Sequence, residues 1–323
     1  MLLSRVAESV YWAGRYLERA EATARLVTVH TELFLDLPKD AGLTWSPLLA
    51  VTGSAESFEE LHRESNEDTV VAFLTSELDN PGSVVSSIAS ARENLRITRA
   101  LLPKQSWEIL NEMYLTALSA RADAVHRRTR PQWTEYVMRG CQTLCGSLDS
   151  NMSHDDVYSF LEIGRFIERA DMTTRVLDVQ AGILMDGTRA LAPYADITWM
   201  SVLRTLSALQ MYLRTAGCGV SGPDALNFLM HDAQFPRSVE RCLTEITRAL
   251  LELPRYDEPM HSCAEMQRVL ETSPVKHLAD DGGLHDFVDQ LQLCLADLHD
   301  VLTTTYFRLV PTASGNDRLL ASA

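Results

Sequence analysis

The sequence predicts an all-α fold, a helical bundle built from two duplicated halves with a pseudo-twofold relation. Apolar residues recur at spacings of three and four along most of the 323 residues, which is the helical period. No stretch combines β-branched alternation with hairpin turn residues. One segment also occurs twice without a gap, as AGRYLERAEATARLV at 13–27 and as IGRFIERADMTTRVL at 163–177.

The first half, residues 1–150, opens with a long helical pattern over 3–35. Gly14 interrupts this pattern at a cost of roughly 1 kcal/mol relative to alanine. The second copy keeps a glycine there, Gly164, which indicates close approach of another backbone. Further helices are predicted after a cap at Ser65 or Asn66, from Pro81 with Asn80 as cap, and over 105–128 and 132–149.

The second half, residues 151–323, repeats this order, and we expect the two halves to form one compact unit. Its opening helix over 154–186 carries the second copy of the repeat. ITWMSVLRTLSA from Ile197 then parallels LTWSPLLAVTGS from Leu43, and FLMHDAQFPRSV from Phe228 parallels FLTSELDNPGSV from Phe73. Helices near 236–253, 260–272 and 284–308 follow, and the tail after Pro311 is expected to be loose. We expect the two glycine-containing helices to face each other across the pseudo-twofold axis.

Composition excludes several classes of function. The chain has 29 Lys and Arg against 44 Asp and Glu, a net charge of −15, which argues against nucleic-acid or anionic-membrane partners. No apolar run reaches the roughly 18 residues of a membrane span, and no signal-peptide core is present, so we expect a cytoplasmic protein. The six cysteines lack metal-site or disulfide spacing and are interpreted as reduced thiols. No nucleotide-binding or nucleophile motif occurs, and no cofactor is predicted.

A line of charged and small residues flanks the apolar face of the first helix, and the second copy repeats it. In the first copy it contains Tyr11, Gly14, Glu18, Ala22 and Arg25, with Arg15 beside them. We call these residues and their second-copy equivalents the Glu/Arg strip. Charges beside a packed face are costly unless they are paired. Glu18 and Arg25 lie roughly 10 Å apart along the helix, too far to pair directly. We therefore expect Glu18 to pair with Arg175, and Glu168 with Arg25.

Three interpretations of the strip remain open. Its charges form a structural ion-pair network between the two copies, or its arginines bind a carboxylate or phosphate while a glutamate acts as a base. A metal site is the third, but the two Glu-x-x-His motifs, Glu59–His62 and Glu258–His261, lie outside the repeat. Pro259 is also expected to break the helix turn of the second motif. No metal is therefore predicted. Glu18 and Glu168 are the catalytic candidates. The candidate substrate- or partner-binding residues are Tyr11, Arg15, Arg19, Glu21, Arg25, Arg165, Arg169, Asp171, Arg175, Arg237 and Ser238.

The opening MLLSRVAESVYWAGRYLERAEATARLV resembles the start of the bacterial alpha-E domain family, a domain of unknown function. The segments ARENLRITRALLPKQSWEILNEMY, GRFIERADMTTRVLD and FPRSV resemble further signature segments of that family, so the resemblance covers essentially the whole chain. Its members are encoded beside, or fused to, circularly permuted ATP-grasp proteins and transglutaminase-like proteins. The resemblance therefore implies such proteins as partners and an accessory role in an ATP-dependent amide- or peptide-forming system. It supplies no catalytic residues.

Three hypotheses for function follow. The first is a helical subunit that docks an ATP-grasp ligase or its peptide substrate through the Glu/Arg strip. The second is an enzyme in its own right, with Glu18 or Glu168 as general base. The third is an interaction protein whose charges only hold the two halves together. Exposure of Arg15, Glu18 and Arg175 in a cleft would favour the first two, and burial with reciprocal pairing would favour the third.

Overall fold

The computed structural model describes residues 3–181, 192–217, 219–272 and 283–308. Fourteen α-helices and no strand lie within these ranges, which confirms the all-α prediction. None of the helices described is both long and apolar enough to cross a membrane. The predicted end of the 154–186 helix and the tail after Pro311 lie outside the described residues.

The first eight helices run from the start of the chain to the second copy of the repeat. They are α1 Ser4–Asp36, α2 Ser46–Val51, α3 Ala55–Leu61, α4 Glu67–Thr75, α5 Val84–Ile97, α6 Lys104–Ser119, α7 Arg130–Asn151 and α8 Asp156–Val176. A π turn over Leu177–Ala181 continues α8. The helix predicted over 105–128 ends earlier, at Ser119, and a short 3₁₀ turn over Arg121–Ala124 follows it.

Six helices complete the described chain. They are α9 Ala195–Thr205, α10 Leu209–Ala216, α11 Gly222–His231, α12 Val239–Leu251, α13 Asp257–Thr272 and α14 Leu284–Leu302. A π turn over Thr303–Phe307 continues α14. Pro259 lies in the first turn of α13, where the missing N–H is tolerated, so the expectation that it breaks this helix is wrong.

Helix caps confirm one predicted start and correct another. The Asn66 side chain accepts a hydrogen bond from the Thr69 N–H and so caps α4 as expected. The predicted cap at Asn80 is wrong, because α5 begins at Val84 and Ser83 caps it. Asn80 instead donates to the Phe73 carbonyl and accepts from the Gly82 N–H, which holds the loop before α5.

Helices α1 and α8 form the central pair of the bundle, with α5 and α7 packed on α1 and with α12 and α14 packed on α8. A Cβ added at Gly14 would overlap the Leu161 carbonyl oxygen, and one added at Gly164 would overlap the Tyr11 carbonyl oxygen. Each helix therefore lies directly on the backbone of the other, at the glycine that both copies share. The expected contact between the two repeated helices is present.

The central pair contributes to two large apolar clusters. In α1, Leu17 packs into one cluster with Ile88 of α5, and Leu26 packs into the other with helices of the second half. Helix α8 likewise supplies Leu161 to the first cluster and Ile163 to the second. The Glu/Arg strip is thus held by helices that are fixed on several sides. The pseudo-twofold relation of the complete halves, and their boundary near residue 150, stay predictions.

Candidate functional site

The Glu168 carboxylate lies between two arginines of α1. Arg15 Nε donates to Glu168 Oε2 over 2.7 Å. Arg19 donates to the same carboxylate through Nε to Oε1 and through Nη2 to Oε2, the latter over 3.0 Å. Glu168 has a relative exposure of 1%. Both of its oxygens therefore accept charged hydrogen bonds from the opposite central helix.

Glu18 of α1 has the corresponding arrangement on the other side of the helix pair. It accepts from Arg169 Nη2 of α8 over 2.7 Å, and from Arg237 Nη1 in the loop before α12. Its relative exposure is 2%. We call Arg15, Glu18, Arg19, Glu168, Arg169 and Arg237 the Glu/Arg network.

These contacts correct the pairing expected from the sequence. Glu18 pairs with Arg169 and Arg237, and not with Arg175. Glu168 pairs with Arg15 and Arg19, and not with Arg25. The reason is the crossing point of the helices: α1 and α8 touch at Gly14 and Gly164, close to the first arginines of the repeat. The charges do exchange partners between the helices, but they do so nearer the crossing than expected.

The last arginine of each copy stays on its own helix. Arg25 pairs with Glu21, and Arg175 Nε donates to both oxygens of Asp171 over 3.0 Å. These are the i,i+4 pairs that the sequence suggests. Glu21 also accepts from Gln142 of α7 over 3.1 Å and from Arg237 Nη2 over 3.2 Å.

The network fixes the protonation of both glutamates. Burial alone would raise the pKa of Glu18, but Arg169 and Arg237 hold it below its ordinary value of 4.5. Burial likewise opposes the ionised form of Glu168, yet Arg15 and Arg19 lower its pKa. A general base works best when its pKa lies near the working pH. Neither glutamate has that property, and both oxygens of each already accept a hydrogen bond from an arginine.

Arg165 and Tyr11 are both placed beside the network. Arg165 pairs with Glu162 on its own helix, so it does not copy the role of Arg15. The Nε atoms of Arg165 and Arg169 are buried without a hydrogen-bond partner in the described part of the chain. The Tyr11 hydroxyl lies 2.8 Å from His299 Nδ1 of α14 and accepts a long bond of 3.4 Å from Arg15.

Ser238 is a helix cap. Its hydroxyl accepts from the Arg241 N–H at the start of α12 and donates to the Asp232 carbonyl. The neighbouring Arg237 points at Glu18 and Glu21. Both side chains therefore make hydrogen bonds within the protein, although the sequence also allowed them to bind an anion.

The thiols and the metal-ligand residue types form no further site among the residues described. Cys141, Cys145, Cys242, Cys263 and Cys294 are free thiols, and burial raises the pKa of Cys242 to about 12. Cys218 lies outside the described residues. No group of three His, Cys, Asp or Glu side chains within the described ranges could hold a metal ion.

An open cavity of about 140 Å³ lies at one edge of the network, beside Glu168. We call it the Gly82 pocket. Its lining includes Arg19, Thr23, Gly82, Glu168, Asp171 and Arg175, together with Thr52, Ser54 and Asn80. Four candidate residues from the sequence thus meet at one accessible place. A cavity that contains guanidinium, carboxylate and hydroxyl groups can bind a small polar group through hydrogen bonds.

Sequence reasoning missed the neutral residues of this pocket. Thr23 and Thr173 are identical in the repeat, but a threonine on a helix carries little functional signal by itself. The sequence does contain one signal, because Gly82 stands where the corresponding loop of the second half has Arg237. A charge present in one copy and absent from the other indicates that the two sites differ.

Comparison with known proteins places this geometry in a family context. Residues 2–307 match the Alpha-E family, described as "a predicted alpha-helical domain with a conserved ER motif". That description fits Glu18–Arg19 and Glu168–Arg169, the two dipeptides at the centre of the network. No solved structure matches the chain significantly.

Three relatives are considerably longer than this chain. An uncharacterized protein of Mycobacterium bovis is 26% identical over 336 residues, which cover 94% of this chain and 37% of the relative. Uncharacterized proteins from two strains of Mycobacterium tuberculosis are 26% and 25% identical over the same shares. The chain therefore spans only 37% of the length of these relatives.

Proposed function

This chain belongs to the Alpha-E family, and on that premise we propose that it is a non-catalytic helical subunit of an ATP-dependent amide- or peptide-forming system. In this role it docks an ATP-grasp ligase or the peptide substrate of that ligase. A circularly permuted ATP-grasp protein is the proposed partner, and a transglutaminase-like protein is a second one. Since the system consumes ATP, the proposal places the chain in the cytoplasm.

One observation favours a non-catalytic role above the others. Glu18 and Glu168, the only acids shared by both copies of the repeat as glutamates, are 2% and 1% exposed. Each accepts hydrogen bonds from two arginines, and these arginines lower its pKa. A buried carboxylate that is paired with two arginines and has a lowered pKa stabilises the fold and is a poor proton acceptor. This argues against the chain as an enzyme that uses either glutamate as its base.

The length of the relatives supports an accessory role. In each of them the region similar to this chain is joined to further protein that makes up most of the molecule. A domain with that distribution is typical of a module that works next to another domain. The resemblance to proteins associated with ATP-grasp ligases supplies the identity of the proposed neighbour.

The proposal is tested by co-purification of the tagged full chain with a circularly permuted ATP-grasp protein from the same organism. We expect a stable complex, and we expect ligase activity on the peptide substrate to fall when this chain is omitted. If the two proteins do not associate and the ligase is equally active alone, the proposal is wrong.

A second candidate, a purely structural interaction protein, is favoured by the burial of the network. In that case the charges serve only to hold α1 against α8. The two candidates differ in the Gly82 pocket, because a purely structural network needs no ligand there. They also differ in the ligase assay, since a structural partner would bind the ligase without changing its rate.

A further inference from the structure

Two loops at equivalent positions in the repeat carry different residues between a proline and a serine, and this residue contributes to what fills the space beside the network. The first loop reads Pro81–Gly82–Ser83 and the second reads Pro236–Arg237–Ser238. Both serines cap the helix that follows, α5 in the first half and α12 in the second. The two loops therefore begin their helices in the same way. They differ in the side chain between the proline and the serine, and also before the proline, where Asn80 corresponds to Phe235.

In the second half, the arginine of this loop fills the space. Arg237 donates to Glu18 through Nη1 and to Glu21 through Nη2. Its own carbonyl accepts a hydrogen bond of 3.0 Å from the Thr173 hydroxyl. The Arg237 guanidinium and the Thr173 hydroxyl on this side of the network are thus hydrogen-bonded within the protein.

In the first half, the same space is open. Gly82 has no side chain, and the Gly82 pocket of about 140 Å³ lies between it and the carboxylates of Glu168 and Asp171. A single water needs only about 10–15 Å³, so the pocket has room for a small molecule or group.

The hydroxyl of Thr23, which lines the Gly82 pocket, is left without a partner. Thr23 is 1% exposed, and its Oγ1 makes no hydrogen bond in the described part of the chain. Its equivalent, Thr173, donates to the loop carbonyl. Buried hydroxyls in proteins are nearly always satisfied. The unsatisfied Thr23 Oγ1 is therefore an independent indication that a ligand belongs in this pocket.

The charges around the pocket decide the sign of that ligand. Three guanidinium groups, those of Arg15, Arg19 and Arg175, face the two carboxylates of Glu168 and Asp171. One positive charge is therefore in excess. Arg15 already supplies Glu168 with the second arginine that Glu18 obtains from Arg237. The space beside Gly82 therefore needs no further positive charge.

The unused hydrogen-bond donors lead to the same conclusion. Arg175 donates only through Nε, and its two Nη atoms make no hydrogen bond to any residue described. Arg19 uses Nε and Nη2, which leaves Nη1. Both oxygens of each carboxylate already accept from arginine. A pocket with spare guanidinium donors, whose carboxylates are already paired with arginine, matches a ligand that accepts hydrogen bonds.

We propose that the Gly82 pocket binds a small oxyanion, a carboxylate or a phosphate group, through Arg19, Arg175 and the Thr23 hydroxyl. In the context of the proposed function this oxyanion is a carboxylate of the peptide substrate, and only that identity rests on the proposed function. Binding of the oxyanion itself is a property of the isolated chain.

The test is titration calorimetry of the full chain with three separate probes: acetate, inorganic phosphate and methylguanidine. We expect saturable binding of acetate or phosphate at one site and no binding of methylguanidine. The comparison of acetate with phosphate distinguishes the two sources of an oxyanion. An N-acetylated dipeptide with a free carboxylate, compared with its C-terminal amide, extends the carboxylate arm.

Two variants locate the binding. Gly82→Arg places in the first half the residue that fills the second, and we expect it to abolish oxyanion binding. Thr23→Val removes the unpartnered hydroxyl with little change of shape, and we expect binding at least about tenfold weaker at unchanged or higher thermal stability. Thr173→Val is the matched control, since its hydroxyl is bonded within the protein. That control should lower stability and leave oxyanion affinity unchanged.

The proposal is overturned if neither oxyanion binds, if methylguanidine binds instead, or if both Gly82→Arg and Thr23→Val bind as tightly as the wild type. These outcomes are independent of the partner experiment. A chain that binds acetate but never co-purifies with the ATP-grasp protein retains the pocket and loses the proposed function. A chain that co-purifies but binds no oxyanion retains the proposed function and loses the proposed oxyanion site.

Discussion

At the scale of single residues, the two buried glutamates show how charge can be kept inside a helical bundle. Glu18 and Glu168 each lose their hydration on burial. Charged hydrogen bonds from two arginines on other segments replace the lost contacts with water. Removal of one member of such a buried group leaves uncompensated charge, which costs about 3–5 kcal/mol. We therefore expect these residues to tolerate substitution poorly, for reasons of stability and not of catalysis.

The pH dependence of stability follows from the lowered pKa of Glu18. A carboxyl group with a depressed pKa in the folded state stabilises the fold above its unfolded pKa, near 4.5, and loses that contribution as the pH falls towards the folded value. Glu18→Gln lacks the contribution at every pH. We expect the variant to be about 3–5 kcal/mol less stable near neutral pH, with a smaller difference from wild type in acid.

Urea unfolding of both proteins over a series of pH values measures this difference. The exposed pair of Glu93 and Arg96 provides the control, since Glu93→Gln should leave the free energy of unfolding nearly unchanged at any pH. A Glu18→Gln deficit that stays constant or grows between neutral pH and pH 3 would contradict the assignment.

At the scale of elements, the contact between α1 and α8 depends on two glycines. A Cβ at Gly14 or Gly164 would overlap a carbonyl oxygen of the facing helix, and a backbone cannot move aside as a flexible side chain can. The glycines weaken each helix by roughly 1 kcal/mol relative to alanine. The close crossing offsets this weakness, because it brings the arginines of one helix within reach of the glutamate of the other.

Substitution of these glycines tests the crossing. We expect Gly14→Ala to destabilise the protein by about 2 kcal/mol or more, since overpacking outweighs the gain in helix propensity. Gly146→Ala in α7 is the matched control, because a Cβ there meets no atom within 4 Å. It should raise stability by up to about 1 kcal/mol. Thermal unfolding of both variants decides, and a neutral or stabilising Gly14→Ala would refute the close crossing.

At the scale of the whole molecule, the internal repeat allowed much of the fold to be predicted from the sequence. Helical periodicity predicted α1 almost to the residue, over 3–35 against Ser4–Asp36. The shared glycine also predicted that the repeated helices touch. These features are local or are doubled by the repeat, so a single sequence carries them.

The partners of the charges could not be predicted in the same way. Arg237 reaches Glu18 from a loop 219 positions away, and nothing in the helical pattern indicates that this loop crosses the strip. The Gly82 pocket was missed for a related reason, since it results from the absence of a side chain. Spacing on one helix shows which residues share a face, while the identity of the facing segment depends on the packing of the complete bundle.

The central claim is that the Glu-Arg dipeptides of this chain hold its two central helices together. A double-mutant cycle on Glu18 and Arg169, with Glu18→Gln, Arg169→Gln and the combined variant, measures their coupling in the free energy of unfolding. The two side chains lie 2.7 Å apart on different helices and are both buried. We expect a coupling free energy of about 2 kcal/mol or more between these two side chains. A coupling below about 0.3 kcal/mol would contradict it.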